Sequence, residues 1–298
     1  MSQYSIRDLE KLSGIKAHTL RMWERRYGII TPQRTATNIR YYSDADLSKL
    51  LNVTILNSRG LRISKIANLN DNDLCSRVID LSIGSGDPEI QIESLVVSML
   101  SFDESKFLKI INGSISNSGI ENTFEHVILP FLDRIGVLCE NGTINPAQGH
   151  FVSNLIRQKL IVAIDRVDEE SSSKSGRRMI FFMPENEWQE MGLLFYSLIA
   201  RKHGVEVVYL GASMPLDSLK HIYHIEDTDI LFLSLDSTCK KQQDIDTLNS
   251  FLNGNFYSTL KIITGKQIEN KSQKFSEALN NSKFVYSYEM FKDILKEL

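Results

Sequence analysis

The chain has 298 residues, which is too long for one small hydrophobic core and suits two or three domains. Hydrophobic residues make up 42% of it and charged residues 24%, the composition of an ordinary soluble globular protein. The sequence contains neither an apolar run of membrane-spanning length nor the cationic and apolar blocks of a signal peptide, so we expect a cytoplasmic protein.

The number of cysteines and the distribution of charge narrow the class of protein further. Cys75, Cys139 and Cys239 are odd in number and far apart, which fits neither a zinc site nor a disulfide framework and suits a reducing cytoplasm. Residues 1–70 hold 12 basic and 5 acidic residues, a net charge of +7, while the whole chain has a net charge of −3. A basic head on an acidic body indicates a polyanionic partner for the head, although a solvated basic surface would give the same charge.

The first helices have the pattern of a helix-turn-helix. The segment YSIRDLEKLSGI predicts a short helix capped by Ser5, and KAHTLRMWERRYG predicts a second helix ended by Gly28. Two short helices joined at a glycine turn are typical of this motif. The second helix would present to a DNA major groove the side chains of His18, Thr19, Arg21, Arg25, Arg26 and Tyr27.

The next segment, TPQRTATNIRYYS, is basic, rich in turn residues and partly β-branched. It predicts a small hairpin, or wing, in which Arg34 and Arg40 contact phosphates and in which Asn38 and Tyr41 complete the predicted DNA-binding set. The segment SDADLSKLLNVTILNSRG then predicts a third helix, and RISKIANL begins a fourth.

The stretch from YSIRDLEKLSG to the wing's Arg40-Tyr41-Tyr42 resembles the winged helix-turn-helix of the MerR family of transcription regulators. The resemblance implies that Arg21 and its neighbours enter the major groove and that the wing rests on the flanking DNA backbone. It also implies that dimers bind pseudo-palindromic promoters. The long antiparallel dimer helix that usually follows in this family is not evident, because DNDLCSRVIDLSIGSG breaks at Gly84-Ser85-Gly86.

The middle of the chain carries four helical patterns separated by glycine and asparagine breaks, which predict a four-helix bundle. The stretch LPFLDRIGVLCENGTINPAQGHFVSNLIRQKL resembles the helical cap before the cobalamin-binding domains of CarH-type light-sensing regulators and methionine synthase-like proteins. In that family a Trp packs on the upper face of the cofactor, and a Glu-His pair follows whose His ligates cobalt. The corresponding residues here are Cys139, Gly149 and His150, and a lone histidine on a helix is more often a surface residue than a ligand.

In the last part of the chain, short apolar runs alternate with amphipathic stretches. The runs RMIFFM, VEVVYL, DILFLSL, LKIITG and KFVYSY predict five strands, and the stretches between them predict helices on both faces of a parallel sheet. The predicted fold is therefore multi-domain. It comprises an all-α winged helix-turn-helix head at 1–75, a four-helix bundle at 86–169 and an α/β Rossmann-like (flavodoxin-like) parallel-sheet domain at 177–298.

This last domain resembles the cobalamin-binding domain. The family's lower-ligand loop has an acid, then a His, then a Gly, where this chain has Glu187, Gln189 and Gly192. The resemblance also places Ser234 beside the channel for the nucleotide tail, and Gly265-Lys266 where the family has two glycines. The degenerate cofactor-binding set is then His150, Glu187, Gln189, Gly192, Ser234 and Gly265.

The chemistry of this set argues against the cofactor. A carboxamide is a much poorer donor to cobalt than an imidazole, and without the imidazole Glu187 has no ligand to orient. We therefore expect no cofactor. We expect Glu187 and Gln189 to serve the start of the following helix, with Gln189 as a cap, and Gly192 to permit close packing of that helix on the sheet.

These features predict a transcription regulator, in the first instance a repressor, that binds double-stranded promoter DNA as a homo-oligomer (dimer or tetramer). Its C-terminal domain would serve oligomerisation, a partner protein or another ligand. The alternative is a light-sensing repressor dependent on adenosylcobalamin, with His150 as the upper ligand. No metal site and no enzymatic activity are expected, since the chain has no nucleophile elbow and no His-Glu-x-x-His motif. His221 and His224 are expected at the surface.

Overall fold

In the computed structural model the chain forms two compact units, Met1–Ile156 and Arg157–Leu298. The structure describes residues 3–170, 176–222, 230–238, 241–268 and 279–298. Four sequence predictions fall outside this description: those for Cys239, for the side chains of His221 and His224, and for most of the helix predicted in KSQKFSEALNN.

Six short elements make up the head: α1 (Ile6–Ser13), α2 (Ala17–Tyr27), β1 (Gln33–Arg34), β2 (Arg40–Tyr41), α3 (Asp44–Ser58) and α4 (Ile63–Ile66). The predicted cap of α1 is confirmed, because the Ser5 hydroxyl accepts a hydrogen bond from the backbone N–H of Asp8 at 3.3 Å and the Asp8 carboxylate accepts one from the Ser5 N–H at 2.8 Å. Gly28 ends α2 with φ at 62°, a left-handed conformation that favours glycine. The predicted helix-turn-helix and hairpin are therefore both present.

A helical bundle follows: α5 (Asp71–Ser85), α6 (Pro88–Leu100), α7 (Glu104–Thr123), a π-helical turn (Phe124–Ile128), α8 (Leu129–Glu140) and α9 (Pro146–Glu170). Gly119, with φ 82° and ψ 163°, kinks α7 where the sequence predicted a break between two helices. Asn145 caps the start of α9, since its side-chain oxygen accepts a hydrogen bond from the Ala147 N–H at 2.9 Å. The fully buried rings of Phe107, Phe124 and Phe131 lie in the bundle core.

The helix that follows the head, α5, is short. It ends at Ser85, and Gly86 adopts a left-handed conformation with φ at 63°, so the predicted break is confirmed. Leu74 and Val78 of α5 are buried, and the helix packs against α3, α6 and α7 of its own unit. This position in the chain therefore holds a bundle helix, and the long dimer helix usual in the MerR family is not found here.

The second unit contains a five-stranded parallel sheet: β3 (Arg178–Pro184), α10 (Met191–Lys202), β4 (Glu206–Met214), α11 (Leu216–Ile222), β5 (Ile230–Ser234), α12 (Gln242–Asn255), β6 (Leu260–Thr264), β7 (Ser282–Phe284) and α13 (Tyr288–Glu297). The strand order is β4-β3-β5-β6-β7, the flavodoxin-like order. Chain order reverses between β3 and β5, so the loops after these strands meet at the carboxyl edge of the sheet, where ligands of such folds bind. No helix among the described residues is long and apolar enough to cross a membrane.

The sheet core is aromatic and contains one buried cation. The rings of Phe181 and Phe232 stack with centroids 4.6 Å apart, and Tyr196 lies 4.9 Å from Phe232. Lys261 is fully buried, and its ammonium group donates to the carbonyl oxygens of Thr259 and Asn280, each at 3.0 Å. Burial lowers the pKa of Lys261, and the carbonyl groups supply the hydrogen bonds that a buried ammonium group requires.

Candidate nucleic-acid interface and candidate cofactor site

The outer face of α2 carries the predicted DNA-contacting side chains. Leu20 and Trp23 are buried, so the helical repeat turns the opposite face of α2 outward. Thr19 and Tyr27 are half-buried, and Tyr27 lies one turn after Trp23, on the buried side of the helix; the guanidinium carbon of Arg26 lies 5.8 Å from the centre of the Tyr27 ring. The exposed members of the predicted set on α2 are His18, Arg21, Arg25 and Arg26.

Two lysines of the head form ion pairs with carboxylates, unlike two of the arginines of α2. Lys16 lies 3.2 Å from a carboxylate oxygen of Glu10, and Lys49 is likewise in an ion pair. Within the residues that the structure describes, Arg21 and Arg25 have no such carboxylate. A guanidinium group without an internal counter-ion is available to DNA phosphates, where it releases condensed cations and strengthens binding.

Glu24 joins α2 to the wing. Its carboxylate lies 3.6 Å from Nε of Arg40 and accepts a hydrogen bond from the Tyr42 hydroxyl at 3.2 Å. Burial, reinforced by the Glu24 carboxylate, raises the pKa of Tyr42 to about 12, so Tyr42 remains a protonated donor. The sequence pattern did not indicate this role of Glu24, although an acid between Arg21 and Arg25 on a basic helix was a visible sign.

A shallow pocket of about 260 Å³ lies between the end of α2 and the wing. The arginines that line the pocket come from both α2 and the wing, so one anion bound there would contact both elements. The lining residues are Arg21, Glu24, Arg25, Gly28, Ile30, Thr31, Pro32 and Arg40.

The wing is held by its own turn. Asn38 is left-handed, with φ at 64°, and its side-chain oxygen accepts a hydrogen bond from Arg34 at 2.7 Å. Asn38 therefore orients Arg34. Its own contact with DNA stays a prediction. Tyr41 is half-buried. Two apolar side chains in this part of the head, Met22 and Ile39, are exposed, which the sequence pattern did not indicate.

In the second unit, the acid of the cofactor-like loop is fully buried. Glu187 receives hydrogen bonds from three consecutive backbone N–H groups, those of Asp236 (3.0 Å), Ser237 (2.8 Å) and Thr238 (2.5 Å). The hydroxyls of Ser237 and Thr238 each donate to it at 2.7 Å. Successive N–H groups that converge on one anion form a nest. Glu187 thereby ties the loop after β3 to the loop after β5, at the point where chain order reverses.

The structure corrects the predictions for the start of α10. Glu187 does not serve that helix, because its partners lie in the loop after β5. Gln189 is exposed and does not cap α10, whose N-cap is Glu190 and which has no side-chain cap. A Cβ at Gly192 would meet nothing within 4 Å, so close packing on the sheet does not explain this glycine.

The loops after β5 and β6 are also bonded to each other. The backbone N–H of Lys266 donates to the Asp236 carboxylate at 3.1 Å, and the N–H of Gln267 donates to the Leu235 carbonyl at 3.0 Å. Gly265 has φ at 112°, and a Cβ there would overlap the Leu235 carbonyl, so this position requires glycine.

Ser234, the last residue of β5, and Asp236, in the loop that follows, lie at the same edge of the sheet. Ser234 is buried, and its hydroxyl donates to the Asp236 carboxylate at 3.1 Å. Burial raises the pKa of Asp236. The hydroxyl of Ser234 is therefore engaged inside the loop.

Comparison with known proteins assigns the head. Residues 4–72 match the family model of the MerR HTH family regulatory proteins. The head is a MerR-type helix-turn-helix domain. Residues 91–163 of the bundle match the family model of the B12 binding domain. The chain thus combines a region similar to the MerR HTH family regulatory proteins with a region similar to the B12 binding domain.

Relatives with similar sequences are transcription regulators. The HTH-type transcriptional repressor CarH of Myxococcus xanthus is 28% identical over 255 residues, which cover 82% of this chain and 83% of the relative. The HTH-type transcriptional repressor CarA of the same organism is 27% identical over 217 residues, covering 72% and 70%. The HTH-type transcriptional regulator MlrA of Escherichia coli (strain K12) is 36% identical over 73 residues, covering 24% and 30%.

Among solved structures, the monomethylamine corrinoid protein of Methanosarcina barkeri aligns with a TM-score of 0.46 and 13% identity. The alignment covers 77% of this chain and 100% of that protein.

The cofactor positions of the second unit fit cobalamin poorly. Gln189 offers cobalt a carboxamide where the family resemblance calls for an imidazole. Glu187, which would orient that imidazole, is held by the loop after β5. The two loops beside Ser234 and Gly265, where the nucleotide tail would pass, are hydrogen-bonded together. Lys266 is exposed.

The upper-ligand positions lie in the B12-type bundle of the first unit. A Cβ at Gly149 would lie 3.4 Å from Sγ of Cys139, so the two residues that replace the family's Trp and Glu lie side by side on α8 and α9. Burial raises the pKa of the Cys139 thiol. His150 is exposed on α9, and its role as an upper ligand stays a hypothesis.

Proposed function

We propose that this MerR-type regulator represses transcription by placing α2 in the major groove of an operator and its wing on the flanking backbone. The observation that carries the proposal is the outer face of α2, where Arg21 and Arg25 form no ion pair with any described carboxylate and border a pocket shared with Arg40. Repression, rather than activation, is supported by the two Myxococcus xanthus repressors whose alignments cover most of this chain.

The proposed operator is a pseudo-palindrome bound by a homo-oligomer. Two heads related by a two-fold axis would read two half-sites about one helical turn, or a multiple of it, apart. We place this assembly in the chain outside the head, because α5 is packed within its own unit and does not form the long dimer helix usual in the family. The second unit would then serve assembly, a partner protein or a ligand other than cobalamin.

The test is selection of DNA from a random duplex pool by the full-length protein, followed by fluorescence anisotropy on the enriched sequence. We expect two inverted half-sites and an affinity that falls steeply with salt. Arg25→Ala should weaken binding by roughly 5- to 150-fold, the range for loss of a good base contact. Lys283→Ala removes one charge from an ion pair in the second unit and should change little. A pool with no enriched sequence would overturn the proposal.

A second candidate is the adenosylcobalamin-dependent light-sensing repressor. The B12-type bundle and the exposed His150 favour it. Incubation of the protein with adenosylcobalamin in the dark, followed by gel filtration and a visible spectrum, separates the two candidates. We expect no corrinoid absorbance with the protein. Stoichiometric absorbance, together with a light-dependent change in a gel shift, would favour the second candidate instead.

A further inference from the structure

One apolar side chain interrupts the cationic face of α2. Met22 is 46% exposed, although its neighbour Trp23 is buried. The other exposed side chains of this helix are His18, Arg21, Arg25 and Arg26. Met22 lies one turn after His18 and one turn before Arg25 and Arg26, so it lies within the charged face and not at its edge.

The fold of the head gives no reason for this exposure. The buried side of α2 is supplied by Leu20 and Trp23, and exposing nearly half of a methionine forgoes the stabilisation that its burial would contribute. An apolar side chain at the centre of a cationic surface suits a partner that offers an apolar group among anionic and polar ones.

The major groove offers one such group, the C5 methyl of thymine, among base edges and phosphates that arginines contact. We propose that Met22 reads a thymine methyl in each operator half-site, beside the contacts of Arg21 and Arg25. The unbranched, polarisable thioether of methionine adapts readily to such a contact. This inference rests on the proposed placement of α2 in the major groove.

The experiment replaces each thymine of the selected operator, one at a time, with deoxyuridine, which keeps the hydrogen bonds and lacks only the methyl. At one position in each half-site, we expect the wild-type protein to lose about four-fold in affinity, the effect of burying one methyl group. Met22→Ala should bind the thymine operator more weakly than the wild type and should be insensitive to deoxyuridine at that position. This double-mutant cycle isolates the contact.

Two controls accompany the test. Met22→Leu keeps an apolar side chain and should retain the preference for thymine. Met290→Ala truncates an exposed methionine of α13 in the second unit and should behave as wild type.

The outcomes separate two failures. If no thymine replacement weakens the wild-type protein, or if the loss persists in Met22→Ala, the assignment of Met22 is overturned while operator binding stands. The wild-type series decides the first case even if Met22→Ala does not fold. If no operator is enriched in the selection, the proposed function itself has failed.

Discussion

Replacing Glu187 by alanine should destabilise the second unit substantially. The substitution removes the acceptor of three backbone N–H groups and two hydroxyls in the loop after β5. The hydroxyls can rotate to other acceptors, but the N–H groups cannot. Each buried N–H left without an acceptor costs about 1–3 kcal/mol, and water partly reaches this half-buried loop. The free energy of unfolding of the second unit should therefore fall by roughly 3–5 kcal/mol.

Calorimetry and hydrogen exchange on the full-length protein measure this effect. We expect the transition of the second unit to shift to lower temperature, and the amides of Asp236, Ser237 and Thr238 to exchange faster. Glu185→Ala, an exposed acid two residues earlier, is the matched control and should change the free energy of unfolding by less than about 0.5 kcal/mol. Glu187→Gln keeps one acceptor oxygen and should lie between the two variants.

Equal stability of Glu187→Ala and Glu185→Ala would refute the reasoning. It would mean that water replaces the carboxylate at no cost, and that Glu187 does not hold the two loops together.

Three further predictions concern single groups. Gly265→Ala should lower the free energy of unfolding of the second unit in urea by about 3 kcal/mol or more, because its φ of 112° and the nearby backbone leave no room for a Cβ. Gly192→Ala, with open space around it, should be neutral or stabilising by up to about 1 kcal/mol, and equal losses for the two variants would contradict this reasoning. Because the folded-state pKa of Tyr42 is raised to about 12, its contribution to stability is present below pH 10 and lost between about pH 10 and 12. The absorbance of tyrosinate at high pH should show this late titration in the wild type and not in Tyr42→Phe. Glu24→Gln should raise the affinity for scrambled duplex DNA by about five-fold, since it removes an anion from the pocket. It should also lower the preference for operator over scrambled DNA, since it removes the ion-pair partner of Arg40; unchanged anisotropy curves would refute this role of Glu24.

The head was predicted well because its determinants are local. The cap at Ser5, the glycine that ends α2 and the spacing of Leu20 and Trp23 all lie within a few residues of what they specify. The five apolar runs likewise predicted the strands, since buried parallel strands read as continuous apolar segments.

The contacts of the two sites could not be predicted, because they are made across the chain. The partners of Glu187 lie about 50 residues away, and they meet it only because β3 and β5 are neighbours in the sheet. The sequence therefore predicted that Glu187 and Gln189 serve the start of the adjacent helix, α10, and that prediction was wrong. Glu24 was missed for the same reason, since its partner Arg40 is brought to it by the hairpin.

The register of the wing has a consequence for how the DNA flank is read. Arg34 lies directly opposite Arg40 across the hairpin, and the hydrogen bond to Asn38 already restricts the Arg34 side chain. An arginine that is ordered before binding loses less rotamer entropy on contact. In the proposed complex, Arg34 would therefore meet the flanking backbone at a lower entropic cost than an unrestrained arginine, and this contact would depend on the shape of the DNA flank rather than on its base sequence.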